Sequence, residues 1–250
     1  GVLPVCLGKA TRVCDLLTDK EKEYESVLLL GRTTDTQDTT GQTLKELPVT
    51  CTREEVCAAI AGFVGPYDQI PPMYSALKVN GQKLCNLARA GIEVERKPRR
   101  ITIHAIDIME MELPRVKLRV RCSKGTYIRT LCHDIGETLS CGGCMEELLR
   151  TKAGQFTAGE AHRLDEIEQA AAEGRLESYI APVDSVFTGY EIHMGATESI
   201  GDANPLPATA CMEPVKKTGA DRLRVYDAGD RFIGIYEWNG QRLKPVKLFL

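Results

Sequence analysis

Long apolar runs are missing from this sequence: no stretch approaches the roughly 18–20 residues that a membrane-spanning helix needs, and no charged-then-apolar leader opens it. Neither a membrane span nor a secretory signal is visible, so a cytoplasmic location is expected. Aromatic residues are sparse, at 6% with a single tryptophan, and there are only four histidines, His104, His133, His162 and His193. None of the four has an obvious nucleophile beside it at a strained turn. G-x-S-x-G, the Walker loop and G-x-G-x-x-G are all absent, which removes the sequence grounds for a nucleophile-elbow hydrolase, a P-loop enzyme or a dinucleotide-binding fold. An excess of basic charge is lacking too, since the formal net charge is -3. Averaged over the surface, that argues weakly against a nucleic-acid partner.

Cysteine is abundant, with ten residues, but the thiols are scattered and often single within apolar patterns, as at Cys14, Cys57, Cys122 and Cys132. Reduced cysteines are the expectation. Cys132, His133, Cys141 and Cys144 lie within thirteen residues, and the last two form a CxxC. The zinc signal is weak, because Cys132 falls on the apolar stripe of a helix and His133 on another face. No metal is expected.

The chain has 250 residues, 43% of them hydrophobic and 27% charged, enough for one sizeable core or a larger domain with a small one. Residues 10–17 read as a short helix, "KEYESVLLLG" as a strand and "RTTDTQDTTGQ" as an irregular polar loop. Thr52 and Glu55 make a capping box that opens a helix through Val56, Ile60 and Phe63. Asn80-Gly81 signals a hairpin, and a helix through Leu84 and Leu87 follows, closing at Gly91. "RRITIHAIDIMEME" and "RVKLRVRC" read as strands; after a glycine break at "CGGC", a short acidic helix and a longer one at residues 164–172 are expected. From about Tyr190, short apolar runs between turns predict a separate small all-β unit. Strands and helices mixed without strict alternation favour an α+β fold.

"CSKGTYIRTLCHDIG" places Arg129 at a strand-to-helix junction, close to the buried face of a helix carrying Ile128, Leu131, Cys132 and Ile135. Taking a guanidinium out of water costs several kcal/mol unless an acceptor meets it, and its planar fork best matches a carboxylate or a phosphate. Arg129 therefore requires a partner. "VERKPRRITIH" concentrates Arg96, Lys97, Arg99 and Arg100, and reads either as an exposed loop or as a contact to an RNA backbone. Tyr24, Tyr74 and Tyr127 likewise have two readings: core residues with a hydroxyl at the rim, or platforms on which unpaired bases stack.

Seven blocks together resemble one family. "GVLPVCLGKAT", "KEYES", "GRTTDTQDTTG", "QIPPMYSALKVNGQKL", "ARAGIEVERKPR", "CSKGTYIRTLCHDIGETLSCGG" and "LLRTKAGQF" occur in the order found in bacterial tRNA pseudouridine-55 synthases of the TruB type. The resemblance covers about the first 160 residues closely, and the tail resembles a short version of that family's C-terminal PUA RNA-binding domain. It implies a pseudouridine synthase fold with a mixed, largely antiparallel central sheet, a catalytic domain over residues 1–185 and a PUA-like domain over 190–250. It also implies a monomer acting on the T-arm of tRNA, with no cofactor.

By the same resemblance, Arg129 pairs with a catalytic aspartate in a G-x-L-D-P-x-A-x-G motif whose last glycine matches Gly1, so that the aspartate falls a few residues before Gly1. Without it, Arg129 is expected to turn to water, a backbone carbonyl or an anion, leaving a tRNA-binding or tRNA-folding module without chemistry as the alternative function. Tyr24 matches the residue that stacks on the target base and is placed to take its C5 proton. Tyr127 and Leu148 match the pocket walls, and Asp38 a polar residue near the RNA loop. Lys78 and Lys124 are expected phosphate contacts from charge and position. Three departures stand out: Cys85 where the family usually has Tyr, Leu149 for the first Arg of L-R-R, and the short tail.

Overall fold

The computed structural model describes residues 1–194, 206–207, 222–239 and 241–249. The expected first helix is a 3-10 segment, Gly8–Val13, running into the brief α1, Cys14–Thr18. β1 (Lys22–Leu30) follows as read. The polar loop after it is less irregular than its composition suggests, because β2 (Arg32–Thr34) pairs antiparallel with β3 (Thr43–Glu46) and only residues 35–42 form the turn between them. Helix α2 (Arg53–Ala61) opens on the Thr52–Glu55 capping box and stops just short of Phe63.

β4 (Gly65–Gln69) has no local sequence signature, since its strand character comes from pairing with a later segment. The Asn-Gly turn joins β5 (Lys78–Val79) to β6 (Gln82–Lys83), with Asn80 and Gly81 at φ 50° and 82° as such a turn requires. Then come α3 (Leu84–Arg89), β7 (Arg99–Glu112), β8 (Arg115–Cys122) and α4 (Ile128–Thr138). The acidic segment beyond the glycine break is the one element of the wrong type in the sequence reading. It is β9 (Gly143–Ala153), whose helix-favouring Glu and Leu residues are overridden by pairing with β1 along its length. β10 (Phe156–Thr157) and α5 (Leu164–Ala172) complete this part of the chain.

Contacts divide the chain into two compact units, Gly1–Pro4 with Thr18–Ala161, and Val5–Leu17 with His162–Leu250. The change of composition near residues 185–190 falls inside the second unit, where helical segments give way to strands. The first unit is built on a six-stranded sheet of order β10-β9-β1-β8-β7-β4 in which every strand pair is antiparallel. On β8, Val116, Leu118, Val120 and Cys122 are fully buried, while the intervening charged residues stay out of the core. Each such aliphatic side chain contributes about 1.5–3 kcal/mol on leaving water. Leu28 and Leu30 of β1, Val56 and Ile60 of α2, and Ile128, Leu131, Cys132 and Ile135 of α4 close the same core.

The second unit holds a five-stranded all-β sheet of order β11-β13-β14-β15-β12, from β11 (Glu191–Met194), β12 (Leu206–Pro207), β13 (Leu223–Tyr226), β14 (Phe232–Trp238) and β15 (Arg242–Leu248). Leu223, Val225, Ile233, Tyr236 and Leu243 form its core. The α+β reading and the small all-β sheet both hold. Among the described residues, no helix is long and apolar enough to cross a membrane.

Candidate active site

Arg129 has a carboxylate partner, and it is Asp38. The two stand on elements remote in sequence, Arg129 on the first turn of α4 and Asp38 in the turn between β2 and β3, with Nη1 and Oδ2 3.1 Å apart. Nη1 also lies 3.5 Å from the carbonyl of Thr36. The guanidinium thus meets a second side chain of this chain, in place of the water, lone carbonyl or anion expected for it.

Asp38 is fixed from several directions. Its Oδ1 accepts the Thr36 hydroxyl at 2.8 Å and the Thr40 amide at 3.1 Å, and the Thr40 hydroxyl donates to the same oxygen. The Thr34 hydroxyl donates to the Asp38 carbonyl at 2.6 Å. Burial pushes the Asp38 carboxyl up, but the hydrogen bonds from Thr40 and Thr36 and the Arg129 charge outweigh it and hold the group below the usual carboxylate range. The carboxylate is therefore ionised and no proton donor, and both of its oxygens are engaged. Asp38 is built to hold Arg129.

The turn itself is docked on the first unit's core. Thr39 donates its amide to the Met145 carbonyl at 2.9 Å, and Met145 donates back to Gln37 at 3.0 Å. The Thr130 hydroxyl, next to Arg129, donates to the Gln37 side chain at 2.7 Å. The turn therefore holds α4 at two successive residues. On α4's other side, Gln69 contacts the Tyr127 backbone through both of its amide atoms.

Tyr24 and Leu148 lie on neighbouring strands. Tyr24 sits opposite Arg150, and Ser26, two residues on, sits opposite Leu148. Ser26 Oγ is 3.8 Å from Cys132 Sγ, so this face of β1 is the one α4 packs on. Leu148 retains 46% of its exposure, and Tyr24 is half-buried against the core. Burial and the nearby Cys122 raise the Tyr24 phenol above its ordinary value, against a hydrogen bond from Arg150. Asp38, Arg129 and Tyr127 thus stand together at the head of α4, while Tyr24 and Leu148 lie on β1 and β9, neighbouring strands of the sheet on which this helix packs.

The two lysines are not drawn into this group. Lys78 is exposed on the β5–β6 hairpin. Lys124 pairs with Asp19 at 2.7 Å, yet both side chains stay more than half exposed, so the pair contributes about 1 kcal/mol at most and can be exchanged for a phosphate. Residues that the sequence reading passed over include Thr36 and Thr40, Gln69, and Asp134 on α4, which burial and Glu137 push up to about 6. Tyr67 donates its hydroxyl to Asp134. The threonines flanking Asp38 two residues away on each side were the one legible signal, because Asp and Thr at such spacing close local hydrogen-bonded turns.

Burial raises the thiols of Cys141 and Cys144, which disfavours the thiolates a metal would need. Purified, tag-free protein is expected to carry no stoichiometric zinc by elemental analysis; one zinc per chain would refute this.

The fold recurs in solved structures. A Cbf5-Nop10-Gar1 complex aligns with a TM-score of 0.68 at 22% identity, covering 100% of this chain and 73% of that one. An H/ACA RNP bound to a substrate RNA containing 2'-deoxyuridine aligns at 0.66 and 19%, covering 98% and 70%. Both alignments show a shared fold. The TruB family pseudouridylate synthase N-terminal domain matches residues 1–128, and the tRNA pseudouridylate synthase B C-terminal domain matches 129–188. Curated relatives include the tRNA pseudouridine synthase B of Lachnoclostridium phytofermentans, 49% identical over 100% of this chain and 86% of its own length, and that of Pseudomonas putida, 50% identical over 99% and 82%. The chain belongs to the TruB family of pseudouridylate synthases.

Proposed function

We propose that this protein converts the T-loop uridine at position 55 of tRNA to pseudouridine, as a cytoplasmic monomer that needs neither metal nor cofactor. The observation that carries the reading is the Arg129–Asp38 pair at the head of α4, within a TruB-family chain whose β1 and β9 carry Tyr24 and Leu148. Among the described residues, both polar contacts of Arg129 use Nη1. The rest of the fork is the part that holds the catalytic aspartate, which we place a few residues before Gly1. The first residues support this placement: Val2 exchanges hydrogen bonds with Arg150, directly opposite Tyr24, through its amide at 2.9 Å and its carbonyl at 2.7 Å. A Cβ at Gly1 would come 2.6 Å from the Arg150 nitrogen, so only glycine fits where the chain enters the site.

In this reading the target uridine is flipped from the T-loop at a cost of a few kcal/mol, offset by stacking on Tyr24 and by the walls Tyr127 and Leu148. The aspartate attacks or deprotonates the ribose, the glycosidic bond breaks, the uracil turns, and its C5 joins the sugar carbon. Tyr24 takes the C5 proton, for which a phenol kept above its ordinary value is a strong enough base only once ionised, and Arg150 beside it favours that form. Residues 1–185, together with the upstream segment that bears the aspartate, carry this chemistry, and 190–250 form a short PUA-like RNA-binding domain. The test compares residues 1–250 with a protein extended upstream through the aspartate. Both are expected to bind a T-arm hairpin and only the extended one to form pseudouridine; product from residues 1–250 alone would put the nucleophile within them.

Binding should also weaken with salt despite the net charge of -3. Arg100 is paired with Asp68, and Arg96 with Glu93, but Lys97, Arg99 and Lys78 are exposed and form no ion pair among the described residues. Three phosphate contacts predict a log–log slope of about -2 to -3 between affinity and salt concentration. A flat dependence from low to physiological ionic strength would refute the basic cluster as the contact.

A further inference from the structure

Gln69, the last residue of β4, is only 1% exposed. A buried amide costs about 1–3 kcal/mol if its hydrogen bonds go unmade, and an aliphatic side chain would fill the same space without that risk. Gln69 spends both ends of its amide on a single residue. Its Oε1 accepts the Tyr127 N–H at 2.8 Å, and its Nε2 donates to the Tyr127 carbonyl at 3.0 Å.

Tyr127 is the N-cap of α4 and makes no side-chain capping bond of its own. The angle at which the chain enters the helix is therefore set from outside, by Gln69. Two residues further on is Arg129, whose Nη1 must meet Asp38. Gln69 pairs with Arg99 where residues 70–98 leave the sheet between β4 and β7, so the clamp joins the root of that excursion to the head of α4.

We propose that Gln69 is a positioning residue for the isomerisation: through the Tyr127 backbone it fixes the Tyr127 side chain against the flipped base and the Arg129 fork against its carboxylates. This rests on the isomerase reading above. A displacement of about 1 Å at the reacting groups costs on the order of 100-fold in rate. The clamp acts on turnover and not on hold of the RNA.

The experiment uses the protein extended upstream of Gly1 and two variants, Gln69→Met and Gln69→Glu, with a T-arm hairpin as substrate. Three quantities are measured: turnover, hairpin affinity and hydrogen exchange at the Tyr127 amide. Gln69→Met, which fills the space without the amide, is expected to lose about 10- to 100-fold in turnover, keep its affinity within about twofold, and exchange the Tyr127 amide about tenfold faster. Gln69→Glu separates the clamp from packing. A protonated glutamic acid accepts from the N–H and donates to the carbonyl as the amide does, whereas the carboxylate sets an oxygen against the Tyr127 carbonyl. Burial raises that acid's pKa. Its turnover relative to the unsubstituted protein is therefore expected to fall as pH rises and to recover as pH is lowered. Faster Tyr127 exchange with unchanged turnover in Gln69→Met would overturn the proposal, as would a Gln69→Glu profile parallel to that of the unsubstituted protein. Absence of product from the unsubstituted protein would instead overturn the isomerase reading, and the positioning role with it.

Discussion

Arg129→Lys in the protein extended upstream through the proposed catalytic aspartate is expected to lower pseudouridine formation by about 100- to 1,000-fold, with T-arm binding kept within a few-fold. The reason is geometric. Lysine keeps the positive charge, but an ammonium is a point donor on a flexible stem, while the guanidinium is a rigid fork that can address two carboxylates along two edges. Asp38 occupies Nη1 at 3.1 Å and is itself pinned by Thr36 and Thr40, so the fork's direction is fixed before substrate arrives. Lysine can satisfy Asp38 or the aspartate proposed upstream, but it cannot hold both in one orientation. Asp38→Ala, which frees the fork without removing it, should cost less than Arg129→Lys. Because the two act as one unit, adding Asp38→Ala to Arg129→Lys should cost little more than Arg129→Lys alone. Single-turnover assays on a T-arm hairpin test the set. Full activity in Arg129→Lys would show that orienting carboxylates is not what Arg129 does.

That Arg129 needed an acceptor was legible from its place on a buried helical turn; which acceptor was not. Asp38 lies far earlier in the chain, in a turn whose Thr and Asp content reads as irregular, and the pairing of Thr39 and Gln37 with Met145 of β9, together with the Thr130–Gln37 bond, carries it to α4. The same division runs through the fold. The capping box at Thr52, the Asn80-Gly81 hairpin and the apolar stripe of α4 were read correctly because each is decided within a few residues. β9 was misread and β4 missed, because neighbours far along the chain decide them: "MEELLR" has helical propensity until β1 pairs with it, and "GPYDQ" has little of any kind until β7 does. Gln69 was invisible for the same reason, since a single amide in a short apolar context gives no hint that both its ends will be used on Tyr127.

Gly136→Ala is expected to destabilise the protein by about 3 kcal/mol or more, the upper range for overpacking, because what it meets is backbone and cannot rotate away. On the second half of α4, a Cβ at Gly136 would come 2.3 Å from the Gly142 carbonyl carbon and 2.5 Å from Gly143 Cα. From the other side, a Cβ at Gly143 would come 2.7 Å from the Cys132 carbonyl. Helix α4 and the start of β9 thus touch backbone to backbone, and this contact seats the helix whose first turn carries Arg129. The sign is diagnostic, since alanine for glycine inside an exposed helix ordinarily stabilises by about 1 kcal/mol. At roughly 2–4 °C per kcal/mol for a chain of this size, the melting temperature should fall by about 6–12 °C. Gly159→Ala, where nothing lies within 4 Å of the new Cβ, serves as the control and should stay within about 2 °C. To relieve the clash α4 must lift from the sheet, and Arg129 moves with it, so turnover by the protein extended upstream should fall even at temperatures where the variant remains folded. A Gly136→Ala protein as stable as its parent would mean that the helix and strand can part at no cost, and that α4 is not held against β9 as closely as described.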